Sequence, residues 1–384
     1  MKDKLIQEGV KLMSIKVCHM TSAHKSNDTR IFHKQCVSLA KAGYTVYLVA
    51  PGESFIDSGV HVRGIGKQAN SRIKRMVKTT NKVYNVAVEL NADIYHLHDP
   101  ELLPYALKLK RRGKKVIFDS HEDYLSTISE KKWIPRILRP IVNKIYEVYE
   151  KYIITKLDGT IVCYHWTKER FIKYCKNVKM VLNFPIVDEN SSLPHINFDN
   201  RAISFAGGIS PQWCHKEILE AISSISNLTY KLAGKLGGEY GDELQNMEEW
   251  KKVHYHGVLP LDKVFTDVYG KSSIGLALLD YIPQCKGTVG NLSNTKFFEY
   301  MYMGLPLICT DFELWKKIVD EEYCGICVNP HNKSEIRDAI VYLLDNPKIA
   351  KEMGENGQRA VINKYNWNNE EKELLGFYTV VWND

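Results

Sequence analysis

No run of eighteen apolar residues occurs anywhere in the 384-residue chain, so no segment qualifies as a membrane-spanning helix. The opening residues, MKDKLIQEGVKLM, are charged and lack the apolar core of a secretion signal. They read as a short helix or loose leader before a fold that begins near Ile15, and Met13 is an alternative start. No GxGxxG follows the first strand-like run, which argues against a dehydrogenase. No recognised nucleic-acid-binding module is present, so nucleic acid is not an expected partner. The nine cysteines are scattered, and their one close pair, Cys324 and Cys327, lies in CGICV, a buried-strand pattern. Without a second CxxC or a histidine pair this is no zinc motif, and reduced thiols in a cytoplasmic protein are the simpler expectation.

What is present is ordinary for a soluble globular chain: 44% hydrophobic and 25% charged residues. The length calls for two domains rather than one core. The net charge of +7 hides an asymmetry. Residues 1–180 carry 33 lysines and arginines against 17 carboxylates, a net +16, and the remainder a net −9. A positive field on the front half favours an anionic partner there, a membrane surface in particular; solubilising surface lysine is the plain alternative.

Strand-like runs alternate with helical stretches. IKVCHM, YTVYLVAP, VHVRGI, IYHLH and KKVIFDS form one series and predict a parallel sheet covered on both faces. The segment 182–200, rich in Asn, Pro and Ser, reads as a linker. ISFAGG, YKLAG, VHYHG, SIGLALL, PLICT and CGICV then form a second series. The expectation is two doubly wound α/β domains in tandem, residues 1–185 and 186–365, with a final aromatic helix at 366–384 returning to the first.

Ligands of open α/β sheets sit beyond the carboxyl ends of the strands. Those positions carry His24, Asp28 and Arg30, then His98 and Asp99, then His121 and Glu122, which predict a polar, substrate-facing cluster in the first domain. Asp28 is equally suited to be a helix N-cap with Arg30 as its ion-pair partner. Three histidines among carboxylates suggest a metal only weakly, because no tight ligand spacing links them, and none is expected. In the second domain Gly207 and Gly208 end a strand and let a phosphate or sugar approach the backbone. The richest segment is NLSNTKFFEYMYMGLP, 291–306. Asn294 and Thr295 predict a helix start whose free N–H groups and positive dipole end suit a diphosphate. Lys296 adds charge in the first turn, and Glu299 is placed to accept hydrogen bonds from a ribose diol. A surface Lys–Glu pair is the alternative, but Phe297, Phe298, Tyr300 and Met301 predict a buried helix.

These residues resemble glycosyltransferase family 4, retaining enzymes of the GT-B fold, over nearly the whole chain from Ile15 to Trp382. KFFEYMYMGLPLICTD (296–311) is similar to the segment whose glutamate holds the donor ribose. HLHDPELLP (96–104) and FDSHEDY (118–124) look like acceptor-side segments, and GVLP (257–260) resembles the loop that reads the nucleobase. The resemblance implies two Rossmann-like domains facing across a cleft, with the C-terminal helix crossing back to the first. It implies catalytic roles for His121, Glu299 and Lys296 and donor contacts from Gly207, Gly208, Lys216, Gly257, Asn291, Asn294 and Thr295. It implies a nucleotide-sugar donor, UDP-linked by first preference, and a glycan or lipid-linked glycan acceptor in bacterial surface polysaccharide synthesis, with no cofactor. The chain departs from the family at three places: Asn291 stands where a first glutamate is frequent, Trp213 and Cys214 where a basic residue is usual, and Ser22, Ala23 and His24 where a Gly-Gly is common.

Two rivals accompany this expectation. A nucleotide-sugar 2-epimerase shares the architecture but needs no acceptor, and a catalytically inactive sugar-nucleotide-binding protein would fit the departures at Trp213 and Asn291. The stretch KKWIPRILRPIVNKIYEVYEKY (131–152) mixes basic and apolar residues and reads either as a membrane-docking element or as an ordinary surface helix.

Overall fold

The computed structural model describes residues 15–67, 71, 74–131, 133–188 and 193–384. The leader expected before Ile15, Lys132 of the basic stretch and part of the expected linker lie outside the described residues. The chain divides into two compact units: residues up to Leu182 with Glu370–Asp384, and Asn183–Asn369.

The first unit is built on eight strands: β1 (Lys16–Met20), β2 (Thr45–Ala50), β3 (Phe55–Asp57), β4 (Val60–Gly64), β5 (Ile94–Leu97), β6 (Lys115–Ser120), β7 (Gly159–Val162) and β8 (Val178–Met180). Their order is β3-β4-β2-β1-β5-β6-β7-β8, parallel throughout except for the β3–β4 pair. β5 and β7 are buried at every residue, as strands covered on both faces must be. The order turns back on itself between β1 and β5, and this switch point is where a doubly wound sheet opens a crevice at its carboxyl edge. Met20–His24 and His98–Asp99 leave the sheet there.

The second unit has six parallel strands: β9 (Ala202–Ala206), β10 (Thr229–Ala233), β11 (Val253–Gly257), β12 (Ile274–Ala277), β13 (Leu307–Thr310) and β14 (Gly325–Val328), ordered β11-β10-β9-β12-β13-β14. Its switch point falls between β9 and β12, so the crevice opens at Gly207 and Gly208. The core around it gathers Ile203, Phe205, Ile218, Leu232, Leu276 and Ile308. All nine cysteines are free thiols. Cys327 lies nearest Cys309, its register partner on β13, at 3.6 Å rather than reaching Cys324.

The last helix, Trp367–Asn383, starts in the second unit, and from Glu370 onward belongs to the first. It packs on Gly159 of β7, where a Cβ would meet Phe377 Cζ at 2.5 Å and Val381 Cγ2 at 3.0 Å. Leu374, Phe377, Tyr378 and Val381 are buried by that docking.

Candidate active site

The second unit's site begins with the helix Thr295–Tyr302. Asn294, in extended conformation, accepts the Lys296 backbone N–H at 3.1 Å and caps the helix, leaving other first-turn N–H groups without intrahelical partners. Phe297, Phe298, Tyr300, Met301 and Tyr302 bury one face. Tyr300 Oη donates toward the Leu276 and Ser204 carbonyls at 3.1 and 3.2 Å, which fixes the helix against β12 and β9. Lys296 and Glu299 are thereby turned toward the crevice.

These two side chains line a pocket of about 440 Å³ together with Gly207, Gly208, Gly234, Lys235, Val258, Leu259, Leu261, Tyr269 and Thr295. The Lys296 ammonium lies 4.4 Å from the Trp213 ring centroid and 5.3 Å from that of Phe205, an aromatic cradle. Among the described residues no carboxylate pairs with it, and burial lowers its pKa, opposed by Glu299. Gly207 admits this arrangement: at φ +149°, its Cβ would lie 2.2 Å from Lys296 Cε. Glu299 accepts from Tyr269 Oη at 3.3 Å through Oε2. Gly257 holds the pocket wall by accepting the Gly234 N–H at 2.7 Å, just before Val258 and Leu259.

Two expected donor contacts fall elsewhere. Lys216 pairs with Glu243 at the surface, because the helix His215–Ile222 buries His215 and turns the next residue outward. Asn291 is engaged within its own loop: Oδ1 accepts the Ser293 N–H at 3.0 Å, Nδ2 donates to Cys285 Sγ at 3.3 Å, and its carbonyl takes Trp315 Nε1–H at 2.7 Å. It shapes the approach to Asn294 and does not line the pocket. Lys235 and Tyr269 do line it, and the sequence offered no local pattern to single them out.

In the first unit, four of the seven expected residues come together, Glu122 stands exposed beside them, and two are buried away from them. His24 Nδ1 faces Asp28 at 3.5 Å, and its Nε2 faces Asp99 Oδ1 at 3.6 Å and His121 Nε2 at 3.2 Å. Burial works to lower the His24 pKa, but hydrogen bonding to Asp28 and the charges of Asp99, Asp28 and Glu122 outweigh it and raise it. His121 goes the other way: burial lowers its pKa, with Arg30 and His24 adding to the effect against Asp119. The two rings are thus shifted in opposite directions, so a proton shared between them favours His24, which donates through Nε2 to His121 Nε2. Asp28 also caps the helical segment Thr29–Cys36, accepting from the Arg30 and Ile31 N–H groups, both at 2.9 Å. Asp99 anchors the loop after β1, its Oδ2 taking Thr21 Oγ1–H and Ser22 Oγ–H at 3.0 and 3.1 Å. Glu122 is exposed beside them.

Arg30 and His98, expected to face substrate, are instead buried. Arg30 makes a bidentate pair with Asp119, Nε and Nη2 each at 3.0 Å, and donates to the Val181 carbonyl at 3.0 Å. The helix that Asp28 caps points Arg30 back across the sheet, so its partner is Asp119 and not Asp28. His98 lies fully buried in a chain that runs from Asp119 inward. His98 Nδ1 is 3.5 Å from Asp119, its Nε2 is 2.8 Å from His19 Nδ1, His19 Nε2 is 3.2 Å from Tyr378 Oη, and Tyr378 Oη is 2.8 Å from His96 Nδ1. Three of these contacts are satisfied when His19 Nδ1–H donates to His98, the Tyr378 hydroxyl donates to His19 and His96 Nδ1–H donates to Tyr378. Among the described residues, His19, His96 and His98, and separately His98, Asp119 and His121, bring potential metal-ligand atoms within 4.8 Å. Both sets need the same His98 ring, and among the described residues His96 Nε2 and His98 Nδ1 are buried without a hydrogen-bond partner.

Burial holds the pKa of both His19 and His96 well below 6.5, with the charge of His98 lowering both and that of His19 lowering His96, against Asp119. The unfolded chain takes up protons below that pH that these rings refuse. Each therefore removes about 1.4 kcal/mol of stability per pH unit as the pH falls below 6.5. His96→Gln, which cannot titrate, should flatten the dependence of unfolding free energy on pH between 6.5 and 5 by about that slope in urea titrations. An unchanged slope would show His96 charged in the fold.

Comparison with known proteins fits this geometry. Residues 29–188 match the Glycosyltransferase Family 4 model, and 212–376 match a Glycosyl transferase-like model. An alpha-D-kanosaminyltransferase of Streptomyces kanamyceticus is 32% identical over 80 residues, which is 21% of each chain, so the match spans about a fifth of that curated relative. Sucrose-phosphate synthase from Thermosynechococcus elongatus superposes with a TM-score of 0.74 at 14% identity, covering 96% of this chain and 99% of that one. Anabaena HepE, solved in complex with UDP and glucose, gives 0.67 at 12% identity, covering 95% and 99%. Two parallel-sheet units, a family model matched in each, and likeness to these structures along almost the whole chain together make this protein a family 4-like glycosyltransferase of the GT-B fold.

Proposed function

We propose that the protein transfers a hexosyl group from a nucleotide sugar, a UDP-sugar by first preference, to a glycan or lipid-linked glycan acceptor in the assembly of bacterial surface polysaccharide. A lipid-linked acceptor would place the enzyme at the cytoplasmic face of a membrane. The observation that carries the donor half is Lys296: a lysine held against two aromatic rings, with no carboxylate paired to it among the described residues, at the N-terminus of a helix lining a pocket of about 440 Å³. A cation so placed, beside unpartnered N–H groups, is arranged for an anion that arrives with the ligand. The Glu299 carboxylate, bonded by Tyr269 through Oε2, keeps Oε1 for a ribose diol. The complex of HepE with UDP and glucose supports a UDP-type donor.

In the reaction the leaving diphosphate gathers negative charge, which Lys296 and the helix terminus stabilise from fixed positions. Glu299 is the one carboxylate among the pocket residues and is assigned to the ribose, so no enzymic nucleophile is assigned. Attack by the acceptor hydroxyl on the face the diphosphate leaves then gives retention, as the family resemblance implies. His24, Asp28, Asp99 and His121 supply the acceptor-side face, with His121 held in place by His24 on Nε2 and by the Asp119 carbonyl on Nδ1.

The test is a panel of UDP-, GDP- and ADP-sugars, read by thermal shift and by nucleotide release with and without a membrane lipid extract. Stabilisation by one donor and release that requires the extract are expected. Release without acceptor alongside an altered sugar would indicate the epimerase, and no stabilisation by any nucleotide would indicate a protein that does not use this pocket. Glu299→Gln should raise KM for the donor roughly ten- to a hundredfold, the loss of one charge-assisted hydrogen bond of about 1.5–3 kcal/mol. A KM within twofold of the wild type would remove the ribose assignment.

A further inference from the structure

One helix of the first unit turns an apolar face to solvent, and its buried side holds a carboxylate beside Ile153 and Ile154. In Arg139–Ile154 the face toward the protein carries Glu150, which is fully buried and paired with Arg170. Asn143 on that side donates to Ser129 Oγ at 2.7 Å, and Arg139 donates to the Ser129 and Ile134 carbonyls at 2.9 and 3.0 Å. The face toward solvent is apolar. Ile141, Ile145, Val148, Tyr149 and Tyr152 follow one another at helical spacing and are all exposed, Ile145 at 65%. The turn before it, Arg136–Leu138, extends the stripe with Ile137 at 83% and Leu138 at 45%, and Trp133 lies exposed beyond. Single exposed apolar residues are ordinary, but a continuous stripe of seven over four helical turns marks a surface with a partner.

The charges around the stripe choose the partner. Residues 131–156 carry seven basic and two acidic side chains. Of the two carboxylates, Glu150 is buried and Glu147 is paired with Lys144 at 2.9 Å. Lys144 and Lys151 flank one edge of the stripe, Arg136 stands at its start, and Lys156, with its ammonium 4.1 Å from the Tyr152 ring, follows its end; all four are exposed. A second copy of this chain would bring these cations against one another. An apolar stripe rimmed by cations matches the interface of a bilayer with anionic headgroups, the isoleucines entering the acyl boundary and the lysines staying among the phosphates.

We propose that Arg136–Ile154 is a docking surface for an anionic lipid bilayer. Docking there requires neither donor nor acceptor, so it stands or falls separately from the transfer reaction. The full-length protein should float with phosphatidylcholine vesicles containing 30 mol% phosphatidylglycerol at low salt, and much less with phosphatidylcholine alone or in 0.5 M salt. The double substitution Ile141→Ser/Ile145→Ser, on exposed positions, should weaken vesicle partitioning at least tenfold while leaving thermal stability and nucleotide-sugar stabilisation unchanged. Lys144→Glu/Lys151→Glu should weaken it at low salt and reduce its salt dependence. No flotation of the wild-type protein at low salt, or equal flotation of the Ile141→Ser/Ile145→Ser protein, would overturn the proposal. So would a wild-type dimer by light scattering that the same two serines convert to monomer, because the stripe would then be an interface between copies.

Discussion

Lys296→Ala is expected to lower turnover by roughly 10²–10³-fold, the cost of removing one fixed group that stabilises developing negative charge in a water-poor site. Three features make this lysine hard to replace. Its ammonium is positioned by Trp213 and Phe205 rather than by an acidic partner, so nothing must be broken when a diphosphate arrives. Burial lowers its pKa, so a bound anion regains in the complex what the empty pocket withholds. Gly207 leaves room for its side chain and for little more. Lys296→Arg should therefore restore only a minor part of the rate, since the larger guanidinium must displace either the Gly207 backbone or Trp213. Steady-state kinetics with the donor found in the panel, together with donor-dependent thermal shift, separate binding from turnover. Turnover of the alanine variant within tenfold of the wild type would mean that the helix terminus alone carries the diphosphate.

The same residue shows what the sequence discloses and what it withholds. Asn294-Thr295 is a local helix-start signal and Lys296 follows from it by spacing, as does the burial of Phe297 and Phe298. The partners of Lys296 are not local: Trp213 and Phe205 come from the other side of the crevice, 83 and 91 positions earlier in the chain. Trp213 stands where relatives of this type often offer a basic residue, and reads in sequence as a loss. In the structure it becomes the aromatic wall that holds a different cation. Lys216 could have been placed from sequence, since the apolar positions Ile218, Leu219 and Ile222 define the inner face of its helix.

Strands were legible in proportion to how much apolar sequence they carry. The runs at β1, β2, β5 and β6 and all six of the second unit announce themselves. β3 is three exposed residues in an antiparallel edge, β8 is three half-buried residues, and β7 is four residues placed directly after a helix. β3 and β8 offer too few residues for a period to show, and β7, no shorter than β5, is hidden by following the apolar end of the helix Arg139–Ile154 with only four residues between. The buried polar chain of the first unit was illegible for a different reason. His19, His96, Asp119 and Tyr378 read locally as strand and helix residues, and only the fold brings Tyr378 across 282 positions to His96. Arg30 and His98 were expected at the surface because they sit in the right loops. Loop position fixes where a Cα lies, but the direction of the side chain depended on a carboxylate on β6 that no spacing rule connects to either.

That carboxylate makes Arg30→Ala the largest expected loss of stability. Asp119 is fully buried and Arg30 supplies two of its hydrogen bonds; Gln35 Nε2 adds one at 2.7 Å and His98 stands at 3.5 Å. Removing one member of a buried ion pair leaves the other uncompensated, at a cost of about 3–5 kcal/mol. For a unit near 200 residues this corresponds to a fall in melting temperature on the order of 10 °C. The sign of the pH dependence distinguishes this cause from simple loss of packing. Burial alone would raise the Asp119 carboxyl, but Arg30, with His98 and His121, holds it well below its ordinary 3.8. That stabilisation is complete at neutral pH and is lost as the pH falls below 3.8 toward the depressed folded value. The alanine variant has little of it to lose, so the gap between variant and wild type should narrow in acid. Arg30→Met/Asp119→Leu, which removes both charges and keeps volume, should recover most of the stability that Arg30→Ala alone forfeits. If Arg30→Ala instead melts with the wild type and loses only turnover, Arg30 faces substrate after all, and the acceptor side must be rebuilt around it.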